Sequence, residues 1–301
     1  MDFMQSLTLE SVTDKEPGAL ARLLPRLHAK AFTGGVIVLT FILVGIFGPF
    51  VAPHDPNKQK LTAMMKAPEG VGSVHVLGTD NLGRDIFSRV IHGSRVSLLI
   101  AFAVVFISGL IGITLGAVSG YFGGKVDFLI QKLVEVIWAF PPLLLGITIV
   151  AFLGQGLFNL ILALVAQRWI PYCRVVRAQA LSLRSRDFIV AAQSLGSGHG
   201  KIILRHILPN LIQTSLVIGT FAMASSIIAE ASLSFLGVGV PPHIPTWGTM
   251  LADARIYIST AWWLPLFPGL CIFITVLGIN LLGDALRDIL DPRLKRTGSG
   301  V

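Results

Sequence analysis

Long apolar segments alternate with polar ones along the whole of this 301-residue chain. An α-helix needs about 20 apolar residues to cross the roughly 30 Å hydrocarbon core of a bilayer. The pattern therefore predicts an all-α polytopic membrane protein with six transmembrane helices. Their predicted positions are 33–52, 96–120, 128–154, 157–170, 211–240 and 264–282.

Two of these segments differ from a plain span. Segment 128–154 is over-long, so we expect its start to be tilted or to lie at the membrane interface. Pro141 and Pro142 lie inside it and predict a kink, because proline cannot donate the backbone hydrogen bond that a helix needs. Segment 157–170 is short, and we expect its helix to end at Pro171.

The polar segments predict how the rest of the chain is organised. Both ends are tails, a long ordered loop follows the first helix, and the other five helices form a core that contains an inner loop. The predicted parts are 1–32 (tail), 33–52 (first helix), 53–95 (outer loop), 96–283 (core, with the inner loop at 171–210) and 284–301 (tail).

Composition supports a membrane protein and argues against a nucleic-acid-binding one. Hydrophobic residues make up 53% of the chain and charged residues only 13%, whereas soluble proteins carry about 25% charged residues. The net charge is +8, but the charges lie in loops beside apolar segments, as expected for contacts with anionic lipid. Six helices place both termini on one side, and most Lys and Arg residues fall on that side. The positive-inside rule then predicts cytoplasmic termini and an extracytoplasmic 53–95 loop.

The outer loop contains an ordered run at 77–95. Asp80, Arg84, Asp85 and Arg89 are spaced for mutual salt bridges around two glycines. Two acids could instead form a cation site, but the arginines between them favour a structural ion-pair cluster.

Small residues recur every fourth position in the second apolar segment, at Ser108, Gly112, Gly116 and Gly120. This spacing places them on one helix face, where two membrane helices can pack backbone to backbone. The face could pack within the chain or against a second membrane subunit, and we favour packing within the chain.

The longest basic interruption in the second half of the chain is 184–210. Asp187 or Ser185 can cap a short helix, Gly196 can end it, and Pro209 should end or kink a second helix. The segment is not a nucleotide-binding loop, because Leu195 and Ile202 stand where a glycine and a hydroxyl residue are required. Two interpretations stay open: an ordinary basic inner loop, or a docking site for another protein.

No catalytic constellation, metal-ligand spacing or cofactor motif is found in the sequence. Glu135 and Glu230 are the acids nearest to hydrocarbon, so both are candidate residues of a solute pathway. The alternative is a buried hydrogen bond from each to a neighbouring helix.

The inner loop resembles the cytoplasmic loop of ABC-importer permeases. In that family the pattern is Glu-Ala-Ala, three residues, Gly, nine residues, then Ile-x-Leu-Pro. The residues in register are Ala191, Ala192, Gly196, Leu208 and Pro209, whereas Val190 and His206 replace the Glu and the Ile.

The outer run is similar to the Gly-Thr-Asp-x-x-Gly-Arg-Asp segment of one permease subunit of the dipeptide/oligopeptide/nickel importers. Here that segment is 78–85. Further matching runs carry the resemblance across most of 33–292, at 120–124, 140–141, 233–237, 241–242, 247–248, 281–288 and 291–292.

This resemblance implies a type I ABC importer permease for peptides, nickel chelates or related solutes in the bacterial inner membrane. It implies a second homologous permease, two cytoplasmic ATPases and an extracytoplasmic solute-binding protein as partners. ATP and Mg²⁺ would be bound by the ATPases, with no cofactor in this chain. Residues expected to couple to the ATPases are Phe188, Val190, Ala191, Ala192, Ser194, Leu195 and Gly196.

The main alternative is a secondary transporter driven by an ion gradient. Such proteins typically contain internal repeats and interrupted helices around buried ion-binding groups. No internal repeat is visible in this sequence, and the Pro141–Pro142 pair is its one strong interruption. An intramembrane enzyme is a third class, but the sequence lacks a nucleophile–base pair.

Overall fold

The computed structural model describes residues 19–290, with side chains from residue 29, and these residues form helices joined by turns and one long loop. The predicted all-α class is confirmed. The helices are α1 (Ala19–Val51), α2 (Ile86–Phe122), α3 (Gly124–Trp138), α4 (Pro142–Leu153), α5 (Leu157–Arg184), α6 (Asp187–Ser194), α7 (His199–Ile202), α8 (Leu208–Phe235), α9 (Trp247–Ala254) and α10 (Trp263–Leu290). Short 3₁₀ turns lie at Leu61–Ala63 and Arg255–Tyr257, and a π-helical turn at Ile203–Ile207 joins α7 to α8.

Four helical segments in the described part of the chain are long and apolar enough to cross a membrane. They lie in α1, in α2, in the continuous run His199–Phe235 and in α10. The pair α3–α4 makes a fifth if it is counted as one broken span. The one remaining predicted helix, 157–170, corresponds to α5, which is 28 residues long but carries several arginines. The count of six therefore stays a prediction.

Several predicted boundaries were wrong because helices continue beyond their apolar stretches. Helix α1 begins at Ala19, inside the predicted tail 1–32, whose residues 1–18 lie outside the described part. Helix α2 begins at Ile86, so the outer loop ends about ten residues before 95. Helix α10 continues to Leu290, inside the predicted tail 284–301. In each case the helix continues into polar sequence, because polar side chains are compatible with a helix once it projects beyond hydrocarbon.

Contrary to prediction, Pro171 does not end its helix. Pro209, which was predicted to end or kink its helix, does not end it. Helix α5 continues past Pro171 for more than three turns, and Tyr172, Cys173 and Val176 in those turns are buried. This burial offsets the lost backbone hydrogen bond. Pro209 follows the π-helical turn Ile203–Ile207, whose wider geometry leaves room for the proline ring, and the helix then runs on to Phe235.

The predicted kink at Pro141 and Pro142 is a complete break. Helices α3 and α4 meet at 86°, with Pro141 extended between them. The break exposes backbone carbonyls, and Gln167 on α5 satisfies two of them. Its Nε2 donates to the carbonyls of Ile137 (3.0 Å) and Phe140 (2.7 Å).

The small-residue face of α2 lies against α5 of the same chain. A Cβ atom added at Gly112 would lie 2.3 Å from the carbonyl oxygen of Trp169, and one at Gly116 would lie 2.6 Å from that of Cys173. At Gly120 it would lie 2.6 Å from Ala180 Cβ. Ser108 is also fully buried. Helices α2 and α5 are therefore in backbone contact over about two turns or more.

Candidate functional site

The inner-loop segment folds as a short helix, a tight turn and a second helix. Helix α6 (Asp187–Ser194) follows α5 after a turn at Ser185 and Arg186. Neither Ser185 nor Asp187 caps it, contrary to prediction. Arg186 occupies the N-cap position without a side-chain hydrogen bond, and Asp187 is the first helical residue, where its charge favours the helix dipole.

Gly196 ends α6 in a left-handed conformation, with φ +76°. The N–H of Ser197 donates to the carbonyl of Ala192 (3.0 Å), and the N–H of Gly196 donates to that of Gln193 (2.9 Å). These two bonds form a Schellman motif, which satisfies carbonyls that a helix C-terminus leaves unpaired. A Cβ at Gly196 would meet nothing within 4 Å, so only the backbone conformation requires glycine here.

Helix α6 has an inner and an outer face. Ile189 is fully buried, and the half-buried Ala192 packs beside it, in a cluster that includes Val176 and Ile207. The opposite face is apolar and open. Phe188 is 46% exposed, and Leu195 at the helix end is 86% exposed.

The residues predicted to couple to the ATPases therefore divide between these faces. Ala192 belongs to the inner face and packs within the chain, whereas the exposed members are Phe188, Val190, Ala191, Ser194, Leu195 and Gly196.

Aromatic contacts connect the second inner-loop helix to the end of α2. The Tyr121 hydroxyl and His199 Nδ1 are 2.8 Å apart, and Gln193 Nε2 donates to the same hydroxyl (3.4 Å). The Phe122 ring lies 5.6 Å from that of His199. A displacement of the inner loop would therefore be transmitted to α2.

The outer loop contains a buried ion-pair network. Arg84 Nε donates to Asp80 Oδ2 (2.6 Å), and Arg84 Nη2 donates to Asp253 Oδ2 (2.9 Å). Arg89 lies 3.7 Å from Asp80 and 3.6 Å from Asp253. The role of Asp253 could not be predicted from the sequence, because this α9 residue lies 169 positions from Arg84 and no local pattern marks it.

Asp85 does not join the arginine network, so that part of the prediction was wrong. Its Oδ2 caps α2 by accepting bonds from the N–H (2.8 Å) and the hydroxyl (2.7 Å) of Ser88. Its Oδ1 lies 3.0 Å from His75 Nδ1. Asp85 therefore fixes the start of α2.

The two candidate pathway acids have different environments. Glu135 on α3 is exposed and pairs with Lys132 (2.7 Å) one turn earlier, although the sequence analysis gave it no charged partner. Glu230 on α8 is 1% exposed, and its Oε1 accepts bonds from the hydroxyls of Ser234 (2.8 Å) and Thr246 (2.9 Å). Thr246 is the N-cap of α9, so Glu230 ties α8 to α9, as the hydrogen-bond alternative anticipated.

A cleft of about 520 Å³ lies where the α3–α4 break meets α5 and α8. Its walls are mostly apolar, and the polar residues that line it are Gln167, Arg168, Ser225 and Ser232. Neither Glu135 nor Glu230 lines it. The sequence analysis did not single out Arg168, although an arginine inside an apolar segment is itself a signal for a functional site.

Comparison with known proteins identifies the relatives of this chain. Residues 112–296 match the family described as binding-protein-dependent transport system inner membrane component. Residues 26–68 match the N-terminal transmembrane domain of oligopeptide transport permease C. The predicted family is therefore confirmed.

Two curated relatives match over most of their length. The chain is 43% identical over 272 residues to the di/tripeptide transport system permease protein DppC of Pseudomonas aeruginosa, covering 89% of this chain and 90% of that protein. It is 40% identical over 265 residues to the glutathione transport system permease protein GsiD of Pectobacterium atrosepticum, covering 87% of each.

A solved structure supports the fold. The MetNI methionine ABC transporter in an inward-facing conformation aligns with a TM-score of 0.54 at 18% identity, covering 67% of this chain and 97% of that chain. The chain thus belongs to the inner-membrane components of binding-protein-dependent transport systems, and it is a permease subunit of the dipeptide/oligopeptide class of ABC importers.

Proposed function

We propose that this permease crosses the bacterial inner membrane six times, with both termini in the cytoplasm. A second, homologous permease would complete the solute path, two ATPases would bind on the cytoplasmic side, and a solute-binding protein would dock outside. In this arrangement the 53–95 loop faces outward and 184–210 faces the ATPases. Peptides or closely related small solutes are the proposed cargo, and their chemistry is taken up below.

The outer apolar face of α6 carries this proposal. Phe188 and Leu195 are exposed large apolar side chains on a segment flanked by Arg184, Arg186 and Lys201. The flanking charges keep α6 out of the hydrocarbon, so lipid does not cover this face. An exposed apolar patch with a charged rim is typical of a protein–protein contact. In an importer, this face of α6 would insert into a groove of an ATPase.

The coupling route follows from the contacts behind α6. Ile189 and Ala192 pack against the cytoplasmic ends of α2, α5 and α8. The Tyr121 hydroxyl on α2 adds hydrogen bonds to His199 on α7 and Gln193 on α6. Because packed side chains transmit displacement as rigid bodies, closure of the ATPases would move the bundle and produce alternating access.

The chain by itself should neither hydrolyse ATP nor transport. No nucleotide-binding motif occurs in its sequence, so both activities should require the ATPases. We expect the complete importer, reconstituted with its ATPases facing the vesicle lumen and its solute-binding protein outside, to accumulate dipeptide in proteoliposomes only when the lumen contains ATP. A proton or sodium gradient should not replace ATP. Strong uptake by the isolated chain under an ion gradient would instead support the secondary-transporter alternative.

The proposed sidedness predicts which positions an impermeant thiol reagent can reach. In a variant with Cys173 and Cys271 replaced by alanine, a cysteine at the exposed Asn57 should react in intact spheroplasts. A cysteine at the exposed Ser185 should react only after the membrane is broken. The reverse pattern would invert the proposed topology.

A further inference from the structure

One arginine of α5 lies deep in the helix bundle. Arg168 is about 16 Å beyond Leu157, the first residue of α5, at 1.5 Å of rise per residue. In the proposed topology, in which α5 crosses the membrane, this places Arg168 near the middle of a roughly 30 Å hydrocarbon core. Its guanidinium stays charged there, since arginine is not deprotonated in proteins.

The other arginines of α5 have their own partners, but Arg168 does not have a charged one. Arg177 forms a two-point ion pair with Asp127 (2.5 and 2.6 Å), and Arg174 lies 4.4 Å over the Trp138 ring. Among residues 29–290, Arg168 donates only to Ser225, from Nη1 to the hydroxyl (2.5 Å) and from Nη2 to the carbonyl (2.9 Å). Within residues 29–290, no carboxylate lies within 4 Å of it. A guanidinium has five N–H donors, so donors remain for a ligand.

The cleft next to Arg168 has the size and lining of a small-molecule site. Its volume of about 520 Å³ falls within the range of pockets that hold small ligands. Trp138, Phe140 and Leu143 form apolar walls, and no acidic residue lines it. A charge at this depth is too costly to face lipid, so the cleft faces the interior of the assembled importer, where the proposed solute path lies.

We infer that Arg168 binds the carboxylate of the transported solute as it passes through this cleft, an inference that depends on the proposed solute path. A planar guanidinium matches a carboxylate with two parallel hydrogen bonds. Ser225 holds one side of the guanidinium, and the apolar walls suit the solute's side chains. The cleft therefore selects small solutes with an anionic end and an apolar body, of which a dipeptide is the simplest example.

The first test measures whether the solute occupies the cleft. Ser232 lines the cleft, and a cysteine there reports access by a small thiol reagent. In the assembled importer, we expect alanylalanine with ATP to slow labelling of Ser232→Cys, but not of Ser185→Cys outside the cleft. The same protection should disappear when Arg168→Gln is added. Uptake of alanylalanine without any protection at Ser232→Cys would overturn the inference.

The second test separates charge recognition from a structural role. Arg168→Gln should lower alanylalanine uptake by at least about thirtyfold, the low end for losing one member of a buried hydrogen-bonded charge pair. Arg168→Lys keeps the charge and should restore much of that loss, although it cannot make the two-point contact. Lys125→Gln removes an exposed charge on α3 as the matched control and should leave uptake unchanged.

Failure of this inference can be distinguished from failure of the proposed function. If the wild-type importer takes up alanylalanine and Arg168→Gln does so equally well, the arginine assignment is wrong and the importer remains. If lysine rescues nothing and protection persists in Arg168→Gln, Arg168 has only a structural role. If the complete wild-type importer does not take up alanylalanine, the proposed cargo is wrong, and the inference is lost with it.

Discussion

Leu195→Asp and Phe188→Asp each reduce ATP-driven uptake by the assembled importer at least about tenfold, as expected when an exposed apolar anchor of an interface is replaced by a charge. Both side chains lie on the outer face of α6, and neither contributes to the buried cluster behind it. The two permeases should therefore still assemble in the membrane. The measurement is co-purification of the ATPases with the permease pair, together with uptake in proteoliposomes.

Matched variants show whether the position or the charge matters. Ser185→Asp adds the same charge at an exposed position before α6 and should leave uptake near wild type.

Gly196→Ala should lower the stability of the turn after α6 by about 1 kcal/mol, because its φ of +76° disfavours any Cβ. Gly200→Ala, also without a neighbour within 4 Å but without positive φ, should be neutral. If the ATPases are retained and uptake is normal in both Leu195→Asp and Phe188→Asp, 184–210 is only a basic inner loop.

Ala192 is unsuitable for this test, although the sequence pattern placed it on the partner-facing side. It is half-buried and packs with Ile189 behind the outer face. Ala192→Asp would put a charge against an apolar cluster and destabilise the chain itself. Loss of transport in that variant would not distinguish a docking defect from a folding defect.

Gly112→Leu should prevent correct folding of the permease. A Cβ at this position already comes within 2.3 Å of the Trp169 carbonyl oxygen, and a leucine side chain would force α2 away from α5. Overpacking in a well-packed core costs about 1–3 kcal/mol, and backbone contact leaves little room for relaxation. We expect little of the monodisperse importer in detergent and a lower midpoint of thermal unfolding for the fraction that assembles.

Two further glycine variants are the controls for this prediction. Gly116→Ala should show a smaller defect of the same kind, since its Cβ would lie 2.6 Å from the Cys173 carbonyl oxygen. Gly269→Ala on α10 meets nothing within 4 Å and should be neutral or slightly stabilising, because alanine favours the helix more than glycine does. Normal yield and stability of Gly112→Leu would contradict the packing of α2 on α5.

The ordered outer loop could be anticipated only in part. The spacing of Asp80, Arg84 and Arg89 predicted an ion-pair cluster, and these three side chains do meet. The carboxylate of Asp253 completes it from α9, which no spacing rule connects to the loop. Asp85 was assigned to the same cluster but caps α2 instead, because the residue just before a helix can satisfy its unpaired N–H groups.

The sequence by itself determined the features that depend on local composition and periodicity. Apolar length identified four helices long enough to cross a membrane and the broken α3–α4 pair. The four-residue spacing of small residues identified a packing face, and Gly196 marked the end of α6. These could be predicted because helix formation, membrane insertion and positive φ depend on residues close together in the chain.

Only the tertiary structure decided what depends on distant neighbours. Because of packing between helices, α5 continues past Pro171, and Arg168 lies at a cleft beside the broken α3–α4 pair. Glu230 bonds to Thr246, whereas Glu135 stays at the surface. In each case the deciding contact comes from another helix. The free energy of burying a polar or charged group, or the helical turns after a proline, depends on that contact. It therefore cannot be obtained from one segment of sequence alone.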